Sequence, residues 1–89
     1  MMIRVFLKSI FLFLLPMLVV ASPVDINTAD AEKIAESLKG VGPGKAAAIV
    51  AFRVENGPFL HLNDLSLVKG IGKKTVESNK DDIQILLNN

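Results

Sequence analysis

Sliding the sequence on itself by 30 residues lays Leu38-Lys39-Gly40-Val41-Gly42 on Val68-Lys69-Gly70-Ile71-Gly72. Both stretches read apolar, Lys, Gly, apolar, Gly, and this repeat limits the fold more than any other feature of the chain. A glycine at each end of so short a connection lets the backbone reverse between two helices. On the N-terminal side, Asn27 or Thr28 can cap a helix from Ala29 to Leu38, in which Ala31, Ile34, Ala35 and Leu38 recur at i, i+3, i+4, i+7. Asp30 and Glu32 in its first turn suit the helix dipole.

Past the first glycine turn, Pro43 stands at the first position of a second helix, where a missing N–H costs nothing. Gly44 to Glu55 continues that helix until Asn56-Gly57-Pro58 ends it. A short third helix is expected from Asp64 to Val68 behind Asn63 as cap, and a fourth from Lys73 to about Lys80. Neither copy can bury its apolar face alone. The expected fold is therefore all-α, two tandem helix-hairpin-helix units packed as one small four-to-five-helix domain over 29–89. Leu38, Val41, Ile49, Val50, Phe59, Leu65, Val68, Ile71, Val76 and Ile83 form the expected core.

The first 21 of the 89 residues differ in kind. Arg4 and Lys8 are their only charges, Ile10 to Val20 is an apolar run, and Val19-Val20-Ala21 ends it with a small residue. That layout is a secretory signal peptide over 1–21, with cleavage expected between Ala21 and Ser22 and a periplasmic product. The alternative is an uncleaved membrane anchor. It is weakened because the run is broken by Pro16 and is shorter than the roughly 20 residues a spanning helix needs. Residues 22–28 then form an N-terminal extension. The 68 residues left after cleavage lie near the lower limit for folding without disulfide or metal.

The composition excludes several chemistries. There is no cysteine and a single histidine, His61, so thiol nucleophiles, disulfides, thiolate metal sites and histidine clusters are ruled out. The acidic residues are scattered, and no nucleophile and base fall into a recognisable arrangement. No catalytic residue, metal or cofactor is expected, and the chain reads as no enzyme. Loss of Arg4 and Lys8 leaves eight basic against nine acidic residues and moves the formal charge from +1 to −1, so the total says nothing about partners. Placement does, because Lys39, Lys45, Lys69, Lys73 and Lys74 all sit beside a glycine turn.

Those turns can hold an anion. The helix that follows each one begins with amide N–H groups that have no intrahelical partner. In the first copy the donors are the amides of Gly42 and of Gly44 or Lys45, with the Lys45 ammonium adding charge. In the second they are Gly72, Lys73 and Lys74, both lysines adding charge. Gly40 and Gly70 make the reversals, and Lys39 and Lys69 support from the other side. Other phosphate motifs fit badly. A P-loop needs four residues between its glycines and Ser or Thr after its Lys, whereas Gly40 to Gly44 encloses three and Ala46 follows Lys45. A dinucleotide fingerprint would need a third glycine at Thr75 and a preceding strand.

With these residues in view, Leu38 to Ala46 and Val68 to Lys74 resemble paired helix-hairpin-helix DNA-binding motifs. Val24-Asp25-Ile26-Asn27-Thr28-Ala29, Arg53-Val54-Glu55-Asn56-Gly57-Pro58-Phe59 and Asn63-Asp64-Leu65, in that order, further resemble the ComEA family of competence proteins, exported DNA receptors of natural transformation. The resemblance implies double-stranded DNA held through its backbone without sequence preference, outside the cytoplasmic membrane. It also implies a part in DNA uptake beside a pore or pilus machinery, with no stable membrane insertion once the signal is cut. Phe52 and Phe59, the aromatics remaining after cleavage, read as core rather than as base-stacking platforms, which favours duplex over single strand.

Three points stay open. Asn79 falls where the first copy has Ile49, so the last helix is expected to be shorter or looser. Arg53 could pair with a carboxylate or touch DNA, and His61 reads as a linker surface residue. A competing reading makes the paired hairpins a non-catalytic protein-interaction subunit of an extracytoplasmic or membrane-associated complex.

Overall fold

The computed structural model describes residues 22–87. The proposed signal peptide and its cleavage point before Ser22 lie outside the described residues. Within them the chain runs β1 (Val24–Asp25), α1 (Ala31–Ser37), α2 (Pro43–Asn56), a 3-10 helix (Leu62–Leu67), α3 (Lys73–Ser78), a second 3-10 turn (Lys80–Asp82) and β2 (Ile83–Gln84). The domain is small and mostly helical. It departs from the expected all-α, four-to-five-helix arrangement by a two-stranded parallel ladder that pairs Val24 with Ile83 and Asp25 with Gln84. None of the described helices is long and apolar enough to cross a membrane.

α1 starts two residues later than expected, and its cap is Asp30 rather than Asn27 or Thr28. Asp30 Oδ1 accepts from the Lys33 amide at 2.8 Å. Asn27 and Thr28 are committed elsewhere. The Asp25 carboxylate accepts from the Asn27 amide (3.1 Å) and the Thr28 hydroxyl (2.7 Å), and the Ala29 amide closes the turn on the Asp25 carbonyl (2.9 Å). α2 begins at Pro43 as expected. It ends where Gly57, at φ +88°, donates to the Arg53 carbonyl at 2.9 Å.

The third helix is a 3-10 segment from Leu62, not an α-helix from Asp64. Leu62, Leu65 and Val68 turn inward every third residue, which is the 3-10 period and not the α period. His61 rather than Asn63 occupies its N-cap, where its amide donates to Asp64 Oδ2 at 3.1 Å. The fourth helix stops at Ser78, two residues short of Lys80.

The core contains Leu38, Val41, Ile49, Phe59, Leu65, Val68, Ile71 and Val76, all expected, together with Val24, Ile26, Ile34 and Ala46. Val50 and Ile83, counted as core from the sequence, are only partly buried. Val24 and Ile26 are 4% and 0% exposed, so the segment read as an extension before residue 29 packs into the domain. Arg53 helps hold it there by donating Nη1 to the Ile26 carbonyl at 2.8 Å, and among the described residues no carboxylate lies within 4 Å of it. Asn27 joins three parts of the chain. Its Nδ2 donates to the carbonyls of Phe59 (3.0 Å) and Leu86 (3.1 Å), and its Oδ1 accepts from the Phe59 amide (2.7 Å). Phe52 stacks on Phe59 with ring centroids 5.4 Å apart, so both aromatics serve packing.

Asp25 gives this packing a pH dependence. Burial pushes its carboxyl up, but the Thr28 hydroxyl, the amides of Asn27 and Leu86 and the Arg53 charge outweigh burial and hold it below the ordinary aspartate value of 3.8. A depressed folded-state value contributes stability above the unfolded value and loses it as pH falls through the folded one. The melting temperature should therefore be insensitive to Asp25 between neutrality and about pH 5 and decline below about pH 4. Asp25→Asn should flatten that acid limb. An identical limb in the variant, followed by circular dichroism, would assign the decline to other groups.

Candidate functional site

The two glycine hairpins have one backbone conformation. Gly40 and Gly70 both lie in the left-handed region, at φ +76° and +93°, where a side chain would be strained. Two residues on, Gly42 (φ −81°, ψ −177°) and Gly72 (φ −95°, ψ 168°) are the extended N-caps of α2 and α3, and neither helix start carries a side-chain cap. Built on Gly42, Gly44 or Gly72, a Cβ would meet nothing within 4 Å, so the backbone there faces open space. The first amides of each helix have no carbonyl one turn earlier to bond. Each hairpin thus presents bare N–H groups with room for another molecule to approach.

All ten expected site residues are at the surface. Lys39, Gly40, Gly42, Gly44 and Lys45 of the first hairpin and Lys69, Gly70, Gly72, Lys73 and Lys74 of the second are exposed. The fold also brings the two groups together. The stem of Lys45 lies across Gly70, whose Cα hydrogen side would place a Cβ 3.4 Å from Lys45 Cγ and 3.6 Å from Cε. Lys45 therefore belongs to both hairpins by position, although it leads only the first helix in sequence. Among the described residues the one ion pair within 4 Å is the exposed Lys80–Glu77 contact at 2.8 Å, so none of the five hairpin lysines is neutralised by a carboxylate at that range. Of the acidic residues, Glu32 and Glu36 lie on α1, Glu55 near the end of α2, Asp64 in the 3-10 segment and Glu77 on α3, while Asp25, Asp30, Asp81 and Asp82 lie outside the α-helices.

Asn79 is the site residue that sequence reasoning misjudged. The last helix is indeed short, but Asn79 is not loosely packed. It is 1% exposed, and its side chain is fully engaged: Oδ1 accepts from the Lys39 amide (2.9 Å), and Nδ2 donates to the carbonyls of Lys39 (2.8 Å) and Thr75 (2.9 Å). A buried amide is costly unless bonded, and here every bond goes to backbone. The available signal was its place opposite Ile49 in the repeat, the one polar residue at a core position.

The family model described as the helix-hairpin-helix motif matches residues 19–84, which covers both hairpins and the whole helical region. The chain belongs to the helix-hairpin-helix family. An uncharacterized protein of Haemophilus influenzae is 48% identical over 65 residues, 73% of this chain and 58% of that one. ComE operon protein 1 of Bacillus subtilis is 47% identical over 62 residues, 70% of this chain and 30% of its own length. A kinesin-like protein, KIF22, of Xenopus tropicalis is 38% identical over 53 residues, 60% of this chain but 8% of that protein. The chain thus spans little more than half the length of the first relative and less of the others. In the kinesin-like protein the matched stretch is a minor part of a long polypeptide.

Proposed function

We propose that this helix-hairpin-helix protein is an exported receptor that binds double-stranded DNA through its phosphates, without regard to sequence, and retains it during uptake in natural transformation. The observation that carries the reading is the pair of hairpins in one conformation, side by side, with open glycine backbones and five exposed lysines. Likeness to ComE operon protein 1 supports the uptake role. Cleavage between Ala21 and Ser22 would release the domain to the periplasm, where it would act as a non-catalytic partner of an uptake pore or pilus; an uncleaved segment would anchor it to the membrane instead.

The mechanism is electrostatic. The amides of Gly42 and of Gly44 or Lys45 face one phosphate and those of Gly72, Lys73 and Lys74 another, while the ammonium groups displace counterions from neighbouring phosphates. Lys39 and Lys69 add charge at the flanks. The exposed residues at the hairpins are glycine, proline and lysine, which suits contact with the backbone rather than base reading. Phosphate contacts position a protein on DNA but carry no sequence information.

With two to four phosphates engaged, log K should fall against log salt with a slope of about −2 to −4, and one domain should bind at roughly micromolar strength. Retention then depends on many copies along one DNA molecule. A gel-shift series with residues 22–89 on unrelated duplexes checks this. Salt-independent binding, or strong preference for one sequence, would count against the scheme. The exposed Val54, Leu60 and Leu67, two of them beside a groove lined by Phe52 and Phe59, favour a second reading as a protein-interaction subunit. That reading predicts no salt-sensitive duplex binding in the same series.

A further inference from the structure

The two hairpins share one turn, over 38–40 and 68–70, closed in the second by the Ile71 amide donating to the Val68 carbonyl at 3.0 Å. They differ in what else holds them. In the first, both the N–H and the C=O of Lys39, the residue just before the left-handed Gly40, are taken by the Asn79 side chain. Asn79 in turn is tied to Thr75 of α3, three residues past Gly72. One buried amide therefore links the backbone of the first hairpin to the helix that carries the second, across 40 residues of sequence. Ile49, the equivalent of Asn79 in the other copy, is equally buried but apolar and can only pack. An apolar contact slides, whereas donor and acceptor bonds to both backbone groups of a single residue fix distance and rotation together.

We propose that Asn79 is a positioning residue that sets the spacing between the two hairpins, so that they engage one duplex as a single two-point anchor. The inference rests on the duplex-binding reading. Asn79 touches no DNA; it acts through Lys39 and Gly40. With the link removed, each hairpin keeps its own lysines and amides, but the second contact no longer follows from the first at a fixed distance, and the gain from joining two weak sites declines.

The test uses residues 22–89 with Asn79→Leu, which restores the apolar type of the repeat, and Asn79→Ala, which adds no bulk. Both variants leave the Lys39 N–H and C=O without their side-chain partner. The chain has no cysteine, so spin labels at Ala47→Cys and Glu77→Cys, both exposed, report the separation of α2 and α3. Unsubstituted at position 79, the labelled chain should give one narrow distance. The Asn79 variants, at temperatures well below their own melting, should give a broadened one, with duplex affinity lowered about tenfold and the salt slope reduced to about half.

A purely structural role would lower the melting temperature but leave distance and slope alone, and that result overturns the proposal. Absence of salt-dependent binding by the unsubstituted chain sinks the duplex reading and with it this role. Binding by that chain, with an unchanged slope in both folded variants, sinks the role of Asn79 alone.

Discussion

A chain that begins at Ala29 is expected not to fold. The deletion removes Val24 and Ile26, each burying about 1.5–3 kcal/mol of side chain, and the β1 partner of Ile83 and Gln84. It also removes Asn27, whose three bonds join the Phe59 backbone to Leu86, and it strips Arg53 of the carbonyl that accepts from its guanidinium. Phe59, 2% exposed, would keep a buried amide with no partner, itself a cost of about 1–3 kcal/mol. The whole stability of a domain this size is only about 3–10 kcal/mol. These losses together match it. Thermal melts followed by circular dichroism should show a cooperative transition for residues 22–89 and none for residues 29–89. A cooperative melt of the shorter chain within a few degrees of the longer one would return residues 22–28 to the status of an extension.

Changing Lys45, Lys73 and Lys74 together to alanine is expected to weaken every duplex by about a hundredfold near 0.1 M salt and to make the salt slope shallower by about 1 to 2. Each lysine lies within the first turn of the helix behind a hairpin, so each stands where a phosphate would meet the open amides. All three are exposed and none is paired with a carboxylate, so the fold should lose little, within about 0.5 kcal/mol apart from the Lys45 stem over Gly70. The loss should be the same for unrelated sequences, because charge reads the backbone and not the bases. Unchanged affinity in the triple variant would move the contact to another face. A loss confined to one sequence would mean that bases are read after all.

The two predictions probe parts of the chain that were unequally legible. The hairpins could be read residue by residue. A left-handed turn needs glycine at Gly40 and Gly70, Pro43 marks a helix start, and neighbouring lysines stay exposed because nothing nearby can bury them. The 3-10 segment was half legible: Leu62, Leu65 and Val68 repeat at three, but six residues are too few to separate that period from 3.6 by inspection. β1 was not legible. Val24-Asp25-Ile26-Asn27 alternates as a strand does, yet a two-residue strand has meaning only beside its partner, and Ile83 lies 59 positions away.

What the amino-acid sequence determines alone is therefore what depends on neighbours within a few residues: the two turns, the start and end of α2, and the gathering of five lysines at the turns. What the tertiary structure decides is the work of the polar residues that bond at a distance. Asn27, Arg53 and Asn79 look alike as side chains able to face water. They become structural because backbone groups 27 to 59 positions away are brought within 3.1 Å of them. No local rule specifies such partners, since the cost of burying an amide or a guanidinium is met only after the rest of the chain has closed around it.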